Sequence, residues 1–91
     1  MYKIEILPQA DKDIRAYQKA GNSVALMKIQ DIIKELRIHP TSGKGKPEQL
    51  KYELKGYWSR RIDKKNRIIY RIDEEKITVV VVSAIGHYSK S

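Results

Sequence analysis

The hydrophobic pattern of this chain changes its period at one loop, and this change constrains the fold more than any other feature. Before the loop, apolar residues between Ala25 and Leu36 recur at spacings of three and four, which is the period of one buried helix face. The loop, Thr41 to Gln49, holds two glycines and a proline. Beyond it the period becomes that of strands. The helical pattern therefore lies before the loop and most of the strand pattern lies after it, which predicts an α+β fold.

The segment before the loop is predicted to form one strand and two helices. Tyr2 to Leu7 alternates as a strand does, and Pro8 ends it. Proline also suits the first turn of a helix, and Gly21 closes that helix. Asn22 or Ser23 can cap the second helix, which carries the apolar stripe.

The segment after the loop is predicted to be a series of strands joined by short turns. Short turns imply antiparallel pairing, whereas the first strand reaches the sheet through the helices. The predicted result is a single domain over residues 1–91 in the order β-α-α-β-β-β, with a mainly antiparallel twisted sheet packed against a helical pair. The last strand is apolar on both faces, which favours an interior place in the sheet. The strand segments are Tyr52 to Leu54, Tyr57 to Ile62, Arg67 to Ile72 and Ile77 to Ile85.

Positive charge is concentrated between Lys44 and Arg71. This segment holds ten of the 19 basic residues and only three carboxylates, in a chain of net charge +8. Aromatic residues are interleaved with the cations, as a surface that binds a polyanion with stackable bases would require. Basic composition alone also occurs in proteins that never bind nucleic acid, so the cluster by itself predicts only an anionic partner.

Composition also limits the compartment and the chemistry. The chain has no cysteine, which fits a reducing cytoplasm, and no basic-then-apolar leader is visible at its start. The longest apolar run, Ile77 to Ile85, is far shorter than the roughly 20 residues that span a bilayer. A soluble cytoplasmic protein that does not bind a membrane is therefore predicted. Two histidines and no cysteine offer no ligand cluster, so no metal and no cofactor are predicted.

Strand alternation selects two arginines from the basic cluster. Arg61 and Arg67 lie on either side of the turn Asp63 to Asn66, so antiparallel pairing brings them close together. Like charges so placed favour an anion between them, and the guanidinium fork suits a phosphate. Trp58 lies on the opposite face and is predicted to pack in the core.

Five short motifs follow one another along the second half of the chain. They are K-G-K-P-E at Lys44 to Glu48, L-K at Leu50-Lys51, G-Y-W-S-R-R-I at Gly56 to Ile62, R-I-I-Y at Arg67 to Tyr70, and H-Y at His87-Tyr88. In this order the motifs resemble the YoeB/Txe branch of the RelE/ParE toxin superfamily, and the resemblance spans the whole chain. It implies a RelE-like fold and a toxin of a type II toxin-antitoxin system. It further implies an mRNA interferase, which is a ribosome-dependent endoribonuclease that cuts the message in the A site and inhibits translation.

The resemblance also implies roles for individual residues. Glu48 matches the general base, His87 the general acid and Arg67 the arginine that stabilises the transition state. The implied reaction is attack by a ribose 2′-hydroxyl on the adjacent phosphate without a metal, which leaves a 2′,3′-cyclic phosphate and a 5′-hydroxyl. Supporting or phosphate-binding positions are Lys51, Arg61 and Tyr88, to which the basic loop adds Lys44 and Lys46, unless these two are only solvated loop charges.

Two other functions remain open at the level of sequence. A toxin of the same superfamily could act on DNA gyrase without cutting RNA, and a basic module could bind RNA or the ribosome without catalysis. The pair Glu48 and His87 favours the nuclease, although Gly86 and the residues after Tyr88 depart from the family pattern. Expected partners are mRNA, the ribosome and a cognate antitoxin of the Phd/YefM type, and the family permits a homodimer.

Overall fold

The computed structural model describes residues 1–86, and the predicted site residues His87 and Tyr88 lie outside the described part. Within these residues, two helices and four strands follow the predicted order, and a fifth, short strand is additional. In chain order the elements are β1 (Lys3–Ile6), α1 (Pro8–Lys19), α2 (Ser23–Leu36), β2 (Glu48–Gln49), a 3₁₀ helix (Tyr52–Leu54), β3 (Tyr57–Arg61), β4 (Arg67–Asp73) and β5 (Thr78–Ser83).

The strands form one mixed sheet in the order β1-β5-β4-β3-β2. All neighbouring pairs are antiparallel except β1 and β5, which run parallel with Ile4 opposite Val79. The predicted α+β fold with a mainly antiparallel sheet is confirmed. Strand β5 is paired on both edges, which agrees with the prediction from its two apolar faces.

The hydrophobic core lies between the two helices and one face of the sheet. A fully buried valine, leucine or isoleucine side chain contributes about 1.5–3 kcal/mol to folding. Trp58 is half-buried and packs against this core, as predicted. The core consists of Ala10 and Tyr17 from α1, Ala25, Ile29, Ile32 and Leu36 from α2, and Ile62, Ile68, Tyr70, Val79, Val81 and Ala84 from the second half of the chain.

The helix ends follow the predicted signals. Pro8 is in the first turn of α1, and Asp11 is placed where its charge favours the helix N-terminus. Asn22 caps α2, and its side-chain oxygen accepts a hydrogen bond of 3.1 Å from the Ala25 amide. Helix α2 ends at Leu36. Neither helix in residues 1–86 is long and apolar enough to cross a membrane.

Two predictions about the region between the loop and β3 are wrong. Residues Tyr52–Leu54 form a 3₁₀ turn and no strand, because Tyr52 at φ 59° and Gly56 at φ 94° turn the backbone out of the extended region. The predicted loop also contains a strand at its end, since Glu48–Gln49 pairs with Ser59 and Trp58. A two-residue strand after Pro47 is too short to produce a visible alternation.

Candidate active site

The face of the sheet opposite the helices brings the main predicted site residues together. Glu48 is directly opposite Ser59, and Arg61 is directly opposite Arg67. Paired residues in antiparallel strands share a face, as do residues two apart in one strand. The three predicted residues Glu48, Arg61 and Arg67 therefore lie on one face of the sheet, which we call the open face.

Sheet geometry sets the spacing on the open face. Glu48 and Arg67 are two strands apart and differ by one two-residue step along the strands. With strands about 4.8 Å apart and a rise of about 3.4 Å per residue, their Cα atoms are roughly 12 Å apart. This gap leaves room for a ribose and its phosphate between a carboxylate and an arginine. Ser59 and Ile69 are both buried and form the floor between them.

The two arginines of the open face are available to an anion. Arg61 is exposed, and its guanidinium has no carboxylate partner among residues 1–86. Among residues 1–86, the guanidinium of Arg67 has one hydrogen bond, a long contact of 3.5 Å from Nη1 to the Asp63 carbonyl oxygen. Their main chains are fixed more firmly, since the Arg67 amide donates to Gly86 O at 2.8 Å and the Arg61 amide to Gly45 O at 2.7 Å.

The turn between β3 and β4 is built around Asp63. Its Oδ1 accepts hydrogen bonds from the Lys65 amide at 2.8 Å and the Asn66 amide at 2.7 Å. The side chain of Asn66 also donates to this carboxylate, and that bond is the largest cause of the lowered pKa of Asp63. Asn66 in turn accepts a bond from the Gly86 amide at 2.8 Å. The turn therefore anchors the segment that leads to His87.

Helix α1 holds the segment before His87 at a second point, Ala84, which lies two residues before Gly86. Asp13 Oδ2 accepts from the Ala84 amide at 2.9 Å, and the Tyr17 hydroxyl donates to the Ala84 carbonyl at 2.7 Å. Both side chains are buried. Burial, followed by the charges of Asp63 and Asp13, raises the pKa of Tyr17 to about 12. The backbone is thus fixed on both sides of Ile85, immediately before the predicted acid.

The predicted lysines differ in their surroundings. Lys44 Nζ lies 3.3 Å from Asp31 Oδ2, which directs this side chain toward α2. Lys46 is exposed, and its φ of 52° shows a sharply turned backbone. Lys51 is exposed just after the buried Leu50. The roles of the three lysines, and those of His87 and Tyr88 outside the described residues, stay predictions.

Arg60 also lies in this region, and the sequence pattern did not distinguish it from the other cations of the basic segment. Arg60 is 0% exposed and pairs with Glu35 of α2 at 2.8 Å. A signal was available, because alternation places Arg60 between Trp58 and Ile62 on the core face. The basic cluster is therefore partly neutralised from α2, by Glu35 at Arg60 and by Asp31 at Lys44.

Residues 1–86 contain no group of three or more histidine, cysteine, aspartate or glutamate side chains that could hold a metal ion. The described residues of the open face and its neighbouring loop provide a carboxylate, arginine and lysine cations and hydrogen-bonding main chain. This combination suits the transfer of a proton away from a nucleophile and the stabilisation of charge on a phosphate.

The chain is similar to known toxins in sequence and in fold. Toxin YoeB of Mycobacterium bovis is 39% identical over 88 residues, which cover 97% of this chain and 100% of that protein. The YoeB/ParE toxin structure from Agrobacterium tumefaciens superposes with a TM-score of 0.87 and 32% identity over 94% of this chain and 99% of that one.

Two further structures come from Staphylococcus aureus and were both solved as assemblies. One is a heterotetrameric YoeB-YefM toxin-antitoxin complex, and the other is a YoeB dimer. Both match with a TM-score of 0.81 over at least 96% of either chain, at 32% and 34% identity. A family model described as YoeB-like toxin of bacterial type II toxin-antitoxin system matches residues 7–88. The chain therefore belongs to the family of YoeB-like toxins of type II toxin-antitoxin systems.

Proposed function

We propose that this toxin is a ribosome-dependent endoribonuclease that cleaves mRNA in the A site and thereby inhibits translation. One observation carries the proposal: Glu48 and the opposed arginines Arg61 and Arg67 share one face of the sheet, at a spacing that fits a ribose phosphate. Family membership supports the same assignment, because the match to the YoeB-like toxin family covers residues 7–88, which include all of these residues.

In this mechanism Glu48 removes the proton from a ribose 2′-hydroxyl, and the resulting oxygen attacks the adjacent phosphorus. Arg67 donates hydrogen bonds to the non-bridging oxygens as negative charge grows there, with Arg61 beside it. His87 gives a proton to the departing 5′-oxygen. The bond from phosphorus to that oxygen breaks, which leaves a 2′,3′-cyclic phosphate and a 5′-hydroxyl. The base and the acid each contribute about 10²–10⁴ in rate.

The remaining predicted residues bind the RNA. Lys46 and Lys51 are exposed next to Glu48 and contact neighbouring phosphates as mobile point charges. Tyr88 supports His87 and the substrate. Lys44 contributes least, because its ammonium group already lies beside Asp31.

The partners of the toxin follow from its relatives and from charge. The Staphylococcus aureus toxin forms a complex with YefM, so a cognate antitoxin of the Phd/YefM type is proposed here. A carboxylate-rich antitoxin segment would complement the cations of the open face and exclude RNA from it. A homodimer is proposed on the precedent of the Staphylococcus aureus YoeB dimer, and the cytoplasm is the proposed compartment because ribosomes work there.

Mapping of 5′ ends on a translated message tests the reaction. Wild type is compared with Glu48→Ala, Arg67→Ala and His87→Ala, and Glu75→Ala in the exposed β4–β5 turn serves as the control. We expect cuts within A-site codons from wild type and control, and strongly reduced cutting from the other three.

Each alternative gives a different result in this experiment. Equal cleavage by wild type and by all three site variants overturns the mechanism. Ribosome binding without any cleavage indicates a non-catalytic module, and inhibition of gyrase supercoiling without cleavage indicates the gyrase toxin.

A further inference from the structure

Arg60 uses its whole guanidinium inside the protein. Nε donates to the Tyr70 hydroxyl at 3.2 Å, and Nη1 donates to Glu35 Oε1 at 2.8 Å and to Lys44 O at 3.3 Å. Nη2 donates to His39 O at 2.5 Å and to Ser42 O at 2.8 Å. An arginine side chain has five N–H groups, so each is used here. The Arg60 side chain therefore has no N–H group left to bind a ligand, and its role lies inside the protein.

That role is to hold the loop between α2 and β2. Three of the acceptors of Arg60 are loop carbonyls, and the Tyr70 hydroxyl donates to a fourth, Pro40 O, at 2.7 Å. Glu35 closes the cluster, because the oxygen that accepts from Arg60 also accepts from the Lys44 amide at 2.8 Å. We call Glu35, Arg60 and Tyr70 the loop anchor. It fixes a segment that has no regular secondary structure.

The anchored loop ends in close contact with β3. Gly45 O accepts from the Arg61 amide at 2.7 Å, and a Cβ on Gly45 would lie 2.9 Å from Arg61 O. At φ 81° the backbone of Gly45 is also in a region that other residues rarely adopt. Glu48 follows three residues later in a strand of only two residues. So short a ladder contributes little on its own, and the loop sets where Glu48 stands relative to Arg61.

We propose that Arg60 is a positioning residue, which through the loop anchor fixes Glu48 on the open face at the distance that catalysis requires. This inference rests on the proposed nuclease function. It assigns different tasks to consecutive arginines: Arg60 orders the strand that carries the base, and Arg61 binds the substrate. A displacement of about 1 Å at a reacting group can cost about 10² in rate, so a small shift of the loop has a large effect on cleavage.

Two variants disturb the anchor without removing the buried cation. Tyr70→Phe keeps the ring in the core and deletes only the hydroxyl that contacts Arg60 and Pro40. Gly45→Ala places a methyl group against the β3 backbone. Ile29→Val is the matched control, because it weakens the core from α2 and none of the hydrogen bonds of the anchor involves Ile29.

The variants are compared by single-turnover cleavage on programmed ribosomes and by the dissociation constant for those ribosomes. We expect the cleavage rate to fall about 100-fold in Gly45→Ala and about 3- to 10-fold in Tyr70→Phe. Binding is expected to change less than twofold in both, and Ile29→Val is expected to match wild type. Equal losses in binding and cleavage, or equal losses in the control, would overturn the proposal.

Double variants show whether the anchor acts through Glu48. In a Glu48→Ala background the base is absent, so Gly45→Ala is expected to cause no further loss. A full additional 100-fold loss would mean that the loop serves another group and would refute the inference.

Amide hydrogen exchange provides a readout that does not need activity. The amides of Lys44, Leu50 and Arg61 are bonded across the loop and its neighbouring strands. Tyr70→Phe is expected to increase their exchange rates, whereas Ile29→Val leaves them in line with the rest of the fold. Unchanged protection in Tyr70→Phe overturns the positioning role. If the wild-type toxin does not cleave, the proposed function is refuted. In that case amide hydrogen exchange still decides whether the loop anchor orders strand β2.

Discussion

The two faces of the sheet hold neighbouring arginines in opposite surroundings. On the helix-covered face, Arg60 is enclosed by Glu35, Tyr70 and loop carbonyls, and none of its surface reaches solvent. On the open face, Arg61 is exposed and stands opposite Arg67. A buried cation is tolerated only when it is fully paired, whereas an unpaired cation must remain in contact with water or an anion. Side-chain type therefore does not reveal the role of a cation here, but the face it occupies does.

The comparison predicts that changes on the open face impair activity and leave folding intact. Glu48→Gln is expected to lower single-turnover cleavage on ribosomes by about 10²–10⁴, because the amide cannot accept the proton. The free energy of unfolding should change by no more than about 0.5 kcal/mol, since Glu48 is exposed. Thermal unfolding of the same samples checks the second value. A fall in melting temperature that parallels the loss in rate would contradict the separation of the faces.

The reverse result is expected on the covered face. Arg60→Met should lower the free energy of unfolding by about 3 kcal/mol, because it removes the ion pair with Glu35 and the donors that Arg60 provides to the loop carbonyls. Urea unfolding measures this change. Arg61→Met is the matched control, because it makes the same substitution one residue later. Its free energy of unfolding should stay within about 0.5 kcal/mol of the wild-type value.

A smaller effect on the covered face is expected at Tyr17. Tyr17→Phe removes the hydrogen bond to Ala84 O and should lower the free energy of unfolding by about 1 kcal/mol at neutral pH. Burial raises the pKa of Tyr17 to about 12, above its value in the unfolded chain. Its contribution is therefore complete below about pH 10 and is lost as the pH rises toward the folded-state pKa.

The same pH range provides the measurement for Tyr17. Between about pH 10 and 12, wild type should lose stability more steeply than Tyr17→Phe in urea titrations. Parallel curves for the two proteins would contradict the assigned pKa shift.

The smallest expected effect concerns salt. Arg61→Met should reduce the slope of log K for ribosome binding against log salt concentration by about 0.7–0.9, the value for one lost phosphate contact. Arg60→Met should leave this slope unchanged, because the buried guanidinium of Arg60 does not contact phosphate. Equal changes in both variants would contradict the comparison.

Most of the fold follows from the sequence, because long periodic segments dominate it. The stripe on α2, the cap at Asn22 and the alternation in β3 to β5 all gave correct elements. The short elements could not be predicted, because they carry too little pattern. The two residues of Glu48–Gln49 cannot show a period. The sequence of Tyr52–Leu54 resembles that of a strand, and only the left-handed backbone at Tyr52 shows that it is not one.

Strand alternation predicts which site residues share one face of the sheet, and that part of the candidate site could be predicted from the sequence. It brought Arg61 and Arg67 to one face, as the register confirms. It could not show what occupies the other side of β3, because the partners of Arg60 come from α2 and from a loop without periodicity. Contacts between distant segments that use main-chain carbonyls leave no mark on residue type.

The parallel pair of β1 and β5 has a consequence for how the toxin is made. β1 is synthesised first, but its hydrogen-bonding partner spans Thr78–Ser83, and Ala84, which α1 holds through Asp13 and Tyr17, follows still later. Strand β1 and helix α1 must therefore wait until residues 78–84 have been synthesised before they can close the sheet. A protein proposed to cut messages on ribosomes thus acquires its working shape only after β5 has left the ribosome that produced it.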